Sequence, residues 1–314
     1  MPRVLVSRRL PDGGLDPLAA HDLVGPNADD TPFTPDDLRA HAAEVDGIVC
    51  VLTDRIDADL LKIGAAGRLQ VVANVAVGYD NIDVAAAREH GIVVCNTPGV
   101  LDDTTADLAF ALILAASRLL HDAEADLRAV RWPGWGITQY LGQDVHDATL
   151  GIVGYGRIGR TVARRASGFD MRVLHHARTD TGEPGYVADL DDLLREADIV
   201  SLHVPGGDAT RHLIDARRLA LMKHTAVLVN TARGPVVDEA ALADALHAGR
   251  LFAAGLDVFE HEPVVSERLL GAPRTVLLPH IGSASRATRT RMARLASSAV
   301  ATVLEGGTPP NVVM

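Results

Sequence analysis

The 314-residue chain contains only two cysteines, Cys50 and Cys95, and neither has a further ligand at metal-binding spacing. So few thiols exclude a disulfide-stapled scaffold, and each thiol ends a short apolar run that indicates a strand. We therefore expect buried, unreactive thiols in a reducing compartment and no metal site. Aromatic residues are also scarce, at 4%, so Ala, Val, Leu and Ile must fill most of the core.

Long apolar runs and an excess of positive charge are missing as well. The longest apolar stretch, residues 108–116, is too short to span a bilayer, and the N-terminus starts as a strand rather than as a signal peptide. The net charge of −11 disfavours binding to nucleic acid or to an anionic membrane. It does not exclude an anionic substrate, because one local arginine can dominate a site. We expect a cytoplasmic protein without nucleic-acid or membrane partners.

What the sequence does contain is an alternation of short β-branched runs with helical periodicity from end to end. Continuous apolar runs such as 71–77 are typical of parallel sheets that helices cover on both faces. The pattern predicts a doubly wound α/β architecture. The expected strands are residues 4–7, 47–52, 71–77, 92–96, 150–154, 172–176, 199–204, 226–230, 253–258 and 276–278.

Two long helices, at 102–131 and 284–304, interrupt this alternation. The first has Thr104 as its expected cap, and its apolar character on every face predicts burial between domains or subunits. The chain between the two helices forms one self-contained unit. We therefore expect a substrate-binding domain of residues 1–99 plus 284–314, a dinucleotide-binding domain of residues 100–283, and a cleft between them.

A glycine fingerprint of the form G-x-G-x-x-G follows the strand at 150–154, with Gly154, Gly156 and Gly159 at its fixed positions. The first glycine allows a tight turn, the second lets the backbone approach a pyrophosphate, and the third lets helix and strand pack closely. Arg157 and Ile158 then open a helix whose N-terminal N–H groups attract phosphates. In this strand–turn–helix context the motif predicts dinucleotide binding.

The end of the next strand indicates which nicotinamide cofactor is preferred. An NAD site usually carries an acid there, to accept hydrogen bonds from the ribose 2′-hydroxyl. This chain has Ala177, Arg178 and Thr179 instead. A guanidinium can pair with a 2′-phosphate, which favours NADPH. The alternative is that Arg178 is solvated and that Asp180 binds the ribose, which would make NAD the cofactor.

Three later strands each end in one ionisable group: Arg233, Glu262 and His280. The carboxyl ends of parallel strands lie along the cofactor crevice of a doubly wound sheet. A carboxylate substrate needs a bidentate cation, and hydride transfer to a carbonyl needs a proton donor. Histidine suits donation near neutral pH, and an adjacent carboxylate favours its protonated form. The set suits reduction of a small anionic 2-oxo acid to a 2-hydroxy acid.

Several segments, in this order and over most of the chain, resemble the D-isomer-specific 2-hydroxyacid dehydrogenase family. They are residues 77–83, 96–100, 150–159, 197–205, 230–238, 256–263 and 279–283. The resemblance implies a flavodoxin-like first domain and a Rossmann dinucleotide-binding domain. It also implies that Arg233 binds the substrate carboxylate and carbonyl, that His280 donates the proton, and that Glu262 orients and charges His280.

The resemblance implies further contacts. The backbone at Val77 and Gly78 would bind the substrate carboxylate from the first domain, and Leu52 is expected to help set the pocket volume. Asp257, with the carbonyls near Thr231 and Ala232, would hold the nicotinamide carboxamide. The remaining candidates for cofactor contact, besides Arg233 and His280 themselves, are Thr104, His203, Val204, Pro205 and Gly282.

Within the family, the segment 176–178 is similar to NADPH-preferring glyoxylate, hydroxypyruvate and 2-ketogluconate reductases. The segment 132–135, with two tryptophans, is similar to a region at the dimer interface of that branch. The family resemblance and the apolar face of residues 108–116 together predict a homodimer. Gly206 and Gly207 depart from the residues usual after the 203–205 segment, which indicates a more flexible loop.

Other functions on the same scaffold remain as alternatives. A formate dehydrogenase would be expected to have glutamine in place of Glu262, and a phosphite dehydrogenase would be expected to have lysine in place of Val77. A dinucleotide-sensing binding protein that resembles a corepressor could keep all three catalytic residues. Turnover of a 2-oxo acid would distinguish the enzyme from such a binding protein.

Overall fold

The computed structural model describes residues 1–313, which divide into two compact units. The first unit comprises Met1–Leu101 together with the chain from Ser283 onward, and the second comprises Asp102–Gly282. Each unit contains one sheet in which every strand is parallel to its neighbours.

In chain order the strands are β1 Arg3–Val6, β2 Asp22–Val24, β3 Gly47–Cys50, β4 Val71–Asn74, β5 Val93–Cys95, β6 Thr149–Val153, β7 Arg172–His176, β8 Ile199–Leu202, β9 Val227–Asn230, β10 Ala253–Leu256 and β11 Thr275–Leu277. The α-helices are α1 Pro35–Ala42, α2 Ala58–Ala66, α3 Val84–Glu89, α4 Asp102–Ser117, α5 Leu120–Arg128, α6 Arg157–Ala166, α7 Leu190–Glu196, α8 Ala216–Leu219, α9 Glu239–His247, α10 Glu267–Leu270 and α11 Arg286–Leu304.

The sheet of the first unit has the strand order β2-β1-β3-β4-β5, which is the flavodoxin-like order. Alternate strand residues enter two separate apolar clusters. One cluster joins residues such as Ile48 and Val72 to helices α1, α2 and α3. The other joins Val49 and Val71 to one face of α11. Because both faces of the sheet are covered, its strands are apolar throughout, as the sequence pattern predicted.

The sheet of the second unit has the order β11-β10-β9-β8-β6-β7. Beyond β7, the segment around Tyr186 pairs in parallel with His175 through one isolated bridge. If this bridge is counted as a shortened strand, the order becomes the 3-2-1-4-5-6 arrangement of dinucleotide-binding folds. The predicted fold class, two doubly wound parallel-sheet α/β units, is confirmed.

The single helix expected at 102–131 is wrong. Helices α4 and α5 meet at an angle of 66°, because Leu119 adopts a left-handed conformation with φ of 53°. The carbonyl of Ser117 accepts a hydrogen bond from the N–H of Gln143, 2.8 Å away, instead of continuing the helix. Helix α4 begins at Asp102, so Thr104 lies in its first turn rather than at its cap.

Part of α4 is buried within its own unit, and burial of its remaining face between domains or subunits stays a prediction. The helix packs inside the second unit, against β9, β10 and α6, and Phe110 and Ile113 belong to the apolar cluster of that unit. The sequence reasoning also missed β2, which is short and mostly exposed. Both cysteines are free and buried as expected, and burial raises the pKa of the Cys95 thiol to about 11.

Within residues 1–313 no single helix is long and apolar enough to cross a membrane, although the bent pair α4 and α5 together reaches that length and composition.

Candidate active site

The turn after β6 has the three glycines in three different environments. A Cβ on Gly154, whose φ is +96°, would lie 2.6 Å from the backbone of His203, so only glycine fits. A Cβ on Gly159 would lie 2.2 Å from the carbonyl oxygen of Gly154, which explains how closely α6 approaches the strand. A Cβ on Gly156 would meet nothing within 4 Å. The middle glycine therefore faces open space, where a pyrophosphate can approach the backbone.

Helix α6 begins immediately after this turn, at Arg157, with Gly156 as its N-cap. Glycine offers no side chain to bond the first N–H groups, and the first turn contains no acid. Arg157 itself is exposed and lies near Asp102, with 3.4 Å between Nε and Oδ2. Free N–H groups, the helix dipole and an arginine make this end of α6 suited to phosphate.

The residues after β7 are those expected to choose between the cofactors. Ala177 is half-buried, and Arg178, Thr179 and Asp180 are exposed. Among residues 1–313, no acidic side chain pairs with the guanidinium of Arg178. Asp180 instead accepts a hydrogen bond from the N–H of Gly182, at 2.9 Å. The position thus presents an available cation and an acid that is already engaged within its own loop.

The segment after β8 lies directly against the glycine turn. His203 is half-buried, its Nε2 lies 2.8 Å from Oγ of Ser201, and burial lowers the pKa of His203 to about 4. The imidazole is therefore neutral at physiological pH. Val204 is half-buried and Pro205 is exposed. The sequence indicated His203 as a candidate cofactor contact and did not reveal the bond of its side chain to Ser201.

The turn after β9 is shaped by Asn230, which the sequence reasoning missed. Its side chain is 1% exposed; its Oδ1 accepts from the N–H of Ala232 at 3.0 Å, and its Nδ2 donates to the carbonyl of Arg233 at 2.9 Å. Arg233 is half-buried and donates from Nη1 to the carbonyl of Ala232, at 2.8 Å. Thr231 keeps a buried hydroxyl that has no hydrogen-bond partner among the described residues. A bound ligand can satisfy that hydroxyl.

Asp257 follows β10 and organises the backbone that carries His280. Its side chain is 1% exposed; one oxygen accepts from the N–H of Ile281 and the other from the N–H of Gly282, each at 2.7 Å. Burial raises the pKa of Asp257, although both of these hydrogen bonds act against the rise. His280 itself donates its N–H to the carbonyl of Asp257, at 2.9 Å. Each carboxylate oxygen of Asp257 therefore already accepts one backbone hydrogen bond that fixes the 281–282 segment.

Glu262 and His280 form the central pair of the site. Nδ1 of His280 lies 2.8 Å from Oε2 of Glu262, and the two side chains are 25% and 29% exposed respectively. The other oxygen of Glu262 accepts from the N–H of Phe259 at 3.0 Å. Burial acts to raise the pKa of Glu262, but the bond to His280, its charge and that of Arg233 outweigh burial and lower the pKa overall. Glu262 is therefore ionised at neutral pH.

His280 adopts a left-handed backbone conformation, with φ of 53°. Histidine is among the residues that tolerate this region, but the conformation is strained and must be held by its surroundings. The bonds from the 257 and 262 side chains supply that restraint. Strain of this kind occurs preferentially at functional sites.

The loops that carry Arg233 and Glu262 are locked to each other. A Cβ on Gly234 would lie 1.8 Å from the carbonyl oxygen of Phe259, so the two backbones are in direct contact. Nearby, Glu260 accepts from Nε2 of His212 at 2.7 Å and from Arg211 at 2.9 Å. His212 thus belongs to this network and faces a largely buried carboxylate.

The candidate substrate residues of the first unit lie after β3 and β4. Leu52 is 38% exposed. The carbonyl of Gly78 accepts from Nδ2 of Asn74 at 2.8 Å, and the carbonyl of Val77 accepts from Nδ2 of Asn96 at 2.7 Å. Within the described chain, the N–H groups of Val77 and Gly78 have no acceptor. The loop therefore offers backbone donors, as binding of a carboxylate requires.

In the second unit, then, the carboxyl ends of adjacent parallel strands bring together a phosphate-binding turn, an arginine and a carboxylate-paired histidine. A sequence model described as the D-isomer specific 2-hydroxyacid dehydrogenase NAD binding domain matches residues 110–282. The chain belongs to the D-isomer-specific 2-hydroxyacid dehydrogenase family. Members are NAD(P)-dependent oxidoreductases that act on small 2-oxo and 2-hydroxy acids, and this chain is such an oxidoreductase.

Relatives within this dehydrogenase family match along the whole chain. The glyoxylate reductase of Korarchaeum cryptofilum is 47% identical over 320 residues, which cover 99% of this chain and 96% of that protein. The glyoxylate reductase of Thermococcus onnurineus is 44% identical over 321 residues, with the same two coverages.

Solved structures of the family agree in fold. The TT0316 protein of Thermus thermophilus has a TM-score of 0.92 and 44% identity, and the match covers 99% of this chain and 100% of that one. The NADPH-dependent glyoxylate/hydroxypyruvate reductase of Sinorhizobium meliloti, solved with NADP and malonate, has a TM-score of 0.87 and 35% identity, covering 99% of this chain and 96% of that one.

Proposed function

We propose that this dehydrogenase reduces a small 2-oxo acid of the glyoxylate or hydroxypyruvate type to the D-2-hydroxy acid, with NADPH as the preferred donor. The observation that carries the proposal is the 2.8 Å contact between Glu262 and His280, on strand ends beside Arg233. The names of the relatives, which are glyoxylate reductases over nearly their full length, support this substrate class.

His280 is the proton donor in this proposal. Because Nδ1 is held by Glu262, Nε2 is the nitrogen that faces the reaction. The ionised Glu262 stabilises positive charge on the ring, which suits His280 to give a proton to the carbonyl oxygen. Donation neutralises the ring while the oxygen becomes the hydroxyl of the product. Glu262 does not touch the substrate; it orients and charges His280.

Arg233 binds the substrate carboxylate and polarises its carbonyl. The Asn230 bonds fix the turn from which the guanidinium extends, and bidentate recognition of a carboxylate is the task for which arginine is suited. The positive charge of Arg233 also favours an ionised Glu262. The N–H groups of Val77 and Gly78, and the side chain of Leu52, are proposed as further substrate contacts from the first unit.

The residues present fit a dinucleotide. Gly156 and the start of α6 would hold the pyrophosphate, and the orphaned hydroxyl of Thr231 lies in the turn proposed to meet the nicotinamide end, together with Ala232 and Asp257. When bound, the reduced nicotinamide supplies the hydride for the carbonyl carbon. Arg178 and Thr179 would bind the 2′-phosphate. The remaining cofactor contacts proposed from the sequence are Thr104, Gly154, Arg157, Ile158, Gly159, Ala177, His203, Val204, Pro205 and Gly282.

We also infer a cytoplasmic homodimer. Between α5 and β6 the chain exposes a row of apolar side chains; Val130 is 90%, Trp135 80% and Ile137 75% exposed. Several large apolar side chains exposed in one segment are typical of an interface, and a second copy is the simplest occupant. Sedimentation equilibrium tests this, and a monomer at micromolar concentration would contradict it.

The function itself is tested by following the absorbance of reduced nicotinamide while glyoxylate or hydroxypyruvate is added, with NADPH and NADH in parallel. Faster oxidation of NADPH is expected. Faster oxidation of NADH would retain the enzyme and overturn the cofactor preference. Absence of turnover with either donor and several 2-oxo acids would overturn the proposal in favour of a dinucleotide-sensing binding protein.

A further inference from the structure

The loop that carries Arg178 leaves the sheet at the end of β7 and returns to the same strand. After the exposed residues 178–180, the N–H of His175 donates to the carbonyl of Gly185 and the N–H of Val187 donates to the carbonyl of His175, each at 2.8 Å. Gly185 has φ of +88°, and a Cβ there would lie 2.4 Å from the carbonyl oxygen of Val173. Both ends of this loop, residues 177–184, are therefore fixed to β7, while its tip is exposed.

A buried histidine lies under this loop. The ring of His175 is 0% exposed, and its Nε2 lies 2.7 Å from Oγ1 of Thr181. Thr181 also accepts from the N–H of Glu183, at 3.3 Å. Nδ1 of His175 has no partner among the described residues. Burying an imidazole is unfavourable unless it is hydrogen-bonded, and the bond to Thr181 is the one that compensates here.

The same histidine is stacked on the glycine turn. Its ring lies 3.7 Å from that of Tyr155, with 17° between the planes. The guanidinium of Arg160 lies over the ring of Tyr155, 4.8 Å from the ring centroid, and pairs with Glu183 in the loop. Burial, together with the charge of Arg160, lowers the pKa of His175, so the stack contains a neutral ring. One continuous set of contacts thus joins the pyrophosphate turn to the loop of Arg178.

We propose that His175 and Thr181, supported by Arg160 and Glu183, are positioning residues that hold Arg178 and Thr179 where the 2′-phosphate of NADPH binds. The inference rests on the proposed preference for NADPH and assigns the residues that make that preference possible. None of the four is proposed to touch the reacting atoms.

The physical reason is pre-organisation. An exposed loop that is mobile before binding must lose backbone freedom when it closes on a phosphate, and this loss weakens binding. Contacts to the 2′-phosphate increase affinity only for ligands that carry a 2′-phosphate. Anchoring the loop beforehand should therefore increase affinity for 2′-phosphorylated ligands and leave other ligands unaffected.

The variant that tests this is Thr181→Val, which removes the hydroxyl and keeps the shape. Binding of adenosine 2′,5′-bisphosphate and of adenosine 5′-monophosphate is measured by titration calorimetry. We expect the first affinity to fall by about three- to tenfold, the range that one net hydrogen bond covers, and the second to stay within about twofold. Thr181→Ser should retain the wild-type preference, and Thr308→Val, an exposed threonine of the first unit, is the matched control.

In catalysis, Thr181→Val should raise KM for NADPH and leave kcat and the KM for NADH unchanged. Glu183→Gln provides a second variant that leaves the buried histidine intact and should weaken the bisphosphate selectively too. If the wild type prefers the bisphosphate and both variants keep that preference in full, the positioning role is overturned alone. If the wild type itself does not prefer the bisphosphate, the proposed NADPH preference fails and the inference fails with it.

Discussion

Replacing Glu262 with Gln removes the charge beside His280 but retains an oxygen that can accept its hydrogen bond. Two unit charges about 4 Å apart interact by about 4 kcal/mol at an effective dielectric constant of about 20. With the side chains of Glu262 and His280 29% and 25% exposed, water screens part of this. We take about 1.4 to 2.7 kcal/mol as the remainder, which corresponds to about a ten- to hundredfold change in rate.

Proton donation requires a ring that carries positive charge, and the carboxylate of Glu262 stabilises that charge whereas the amide of Gln does not. The variant should therefore lower kcat/KM for glyoxylate by about ten- to hundredfold at neutral pH, where Glu262 is ionised. Because the pKa of Glu262 lies below its usual value, the wild type should keep this advantage over the whole assayed pH range.

The assay is initial-rate oxidation of NADPH between pH 5 and 10, with Glu267→Gln as the control because Glu267 is exposed on α10. The control should follow the wild-type profile. A kcat/KM in Glu262→Gln within about twofold of the wild-type value across this pH range would refute the electrostatic role and leave only a structural one.

Three further results are expected. Arg233→Ala should raise KM for glyoxylate and lower kcat together while the dissociation constant for NADPH changes far less, as measured by steady-state kinetics and fluorescence titration; an effect on NADPH alone would contradict its role. Gly159→Ala should lower the unfolding temperature, because its Cβ would lie 2.2 Å from a carbonyl oxygen. Gly156→Ala should fold normally, because nothing lies within 4 Å of its Cβ, but it should bind NADPH more weakly, because that Cβ enters the space proposed for the pyrophosphate. The usual pKa of a histidine, 6.5, falls to about 4 at His203 because the ring is buried. The folded state should therefore lose stability as pH drops from about 6.5 to 4, by at most about 3.4 kcal/mol. Urea unfolding of His203→Gln should lack this loss, and an identical acid dependence would contradict it.

The sequence predicted the sheets well, because parallel strands that are covered on both faces are apolar throughout. Thus β3, β4, β8 and β9 are each buried over their full length. The apolar runs that form these strands are easy to recognise in the sequence. The edge strand β2 has mostly exposed residues and carries no such signal. The break after α4 was also hidden, because it depends on the capture of the Ser117 carbonyl by Gln143, a contact between residues distant in sequence.

The sequence predicted those site residues whose type and position at a strand end indicate a chemical role, as for Arg233, Glu262 and His280. It did not predict the roles of residues that act by holding the backbone. Asn230 shapes a turn and Asp257 holds the 281–282 backbone, and neither role leaves a pattern in the sequence. The contact of Thr181 with His175 likewise depends on how the loop folds back on its strand.

The most direct test of the central claim is the turnover of His280→Ala with NADPH and glyoxylate, alongside its affinity for NADPH. We predict turnover about a hundredfold or more below that of the wild type, the scale of a general acid, with the dissociation constant for NADPH within about twofold of the wild-type value. Wild-type turnover in this variant would contradict the assignment of His280 as proton donor.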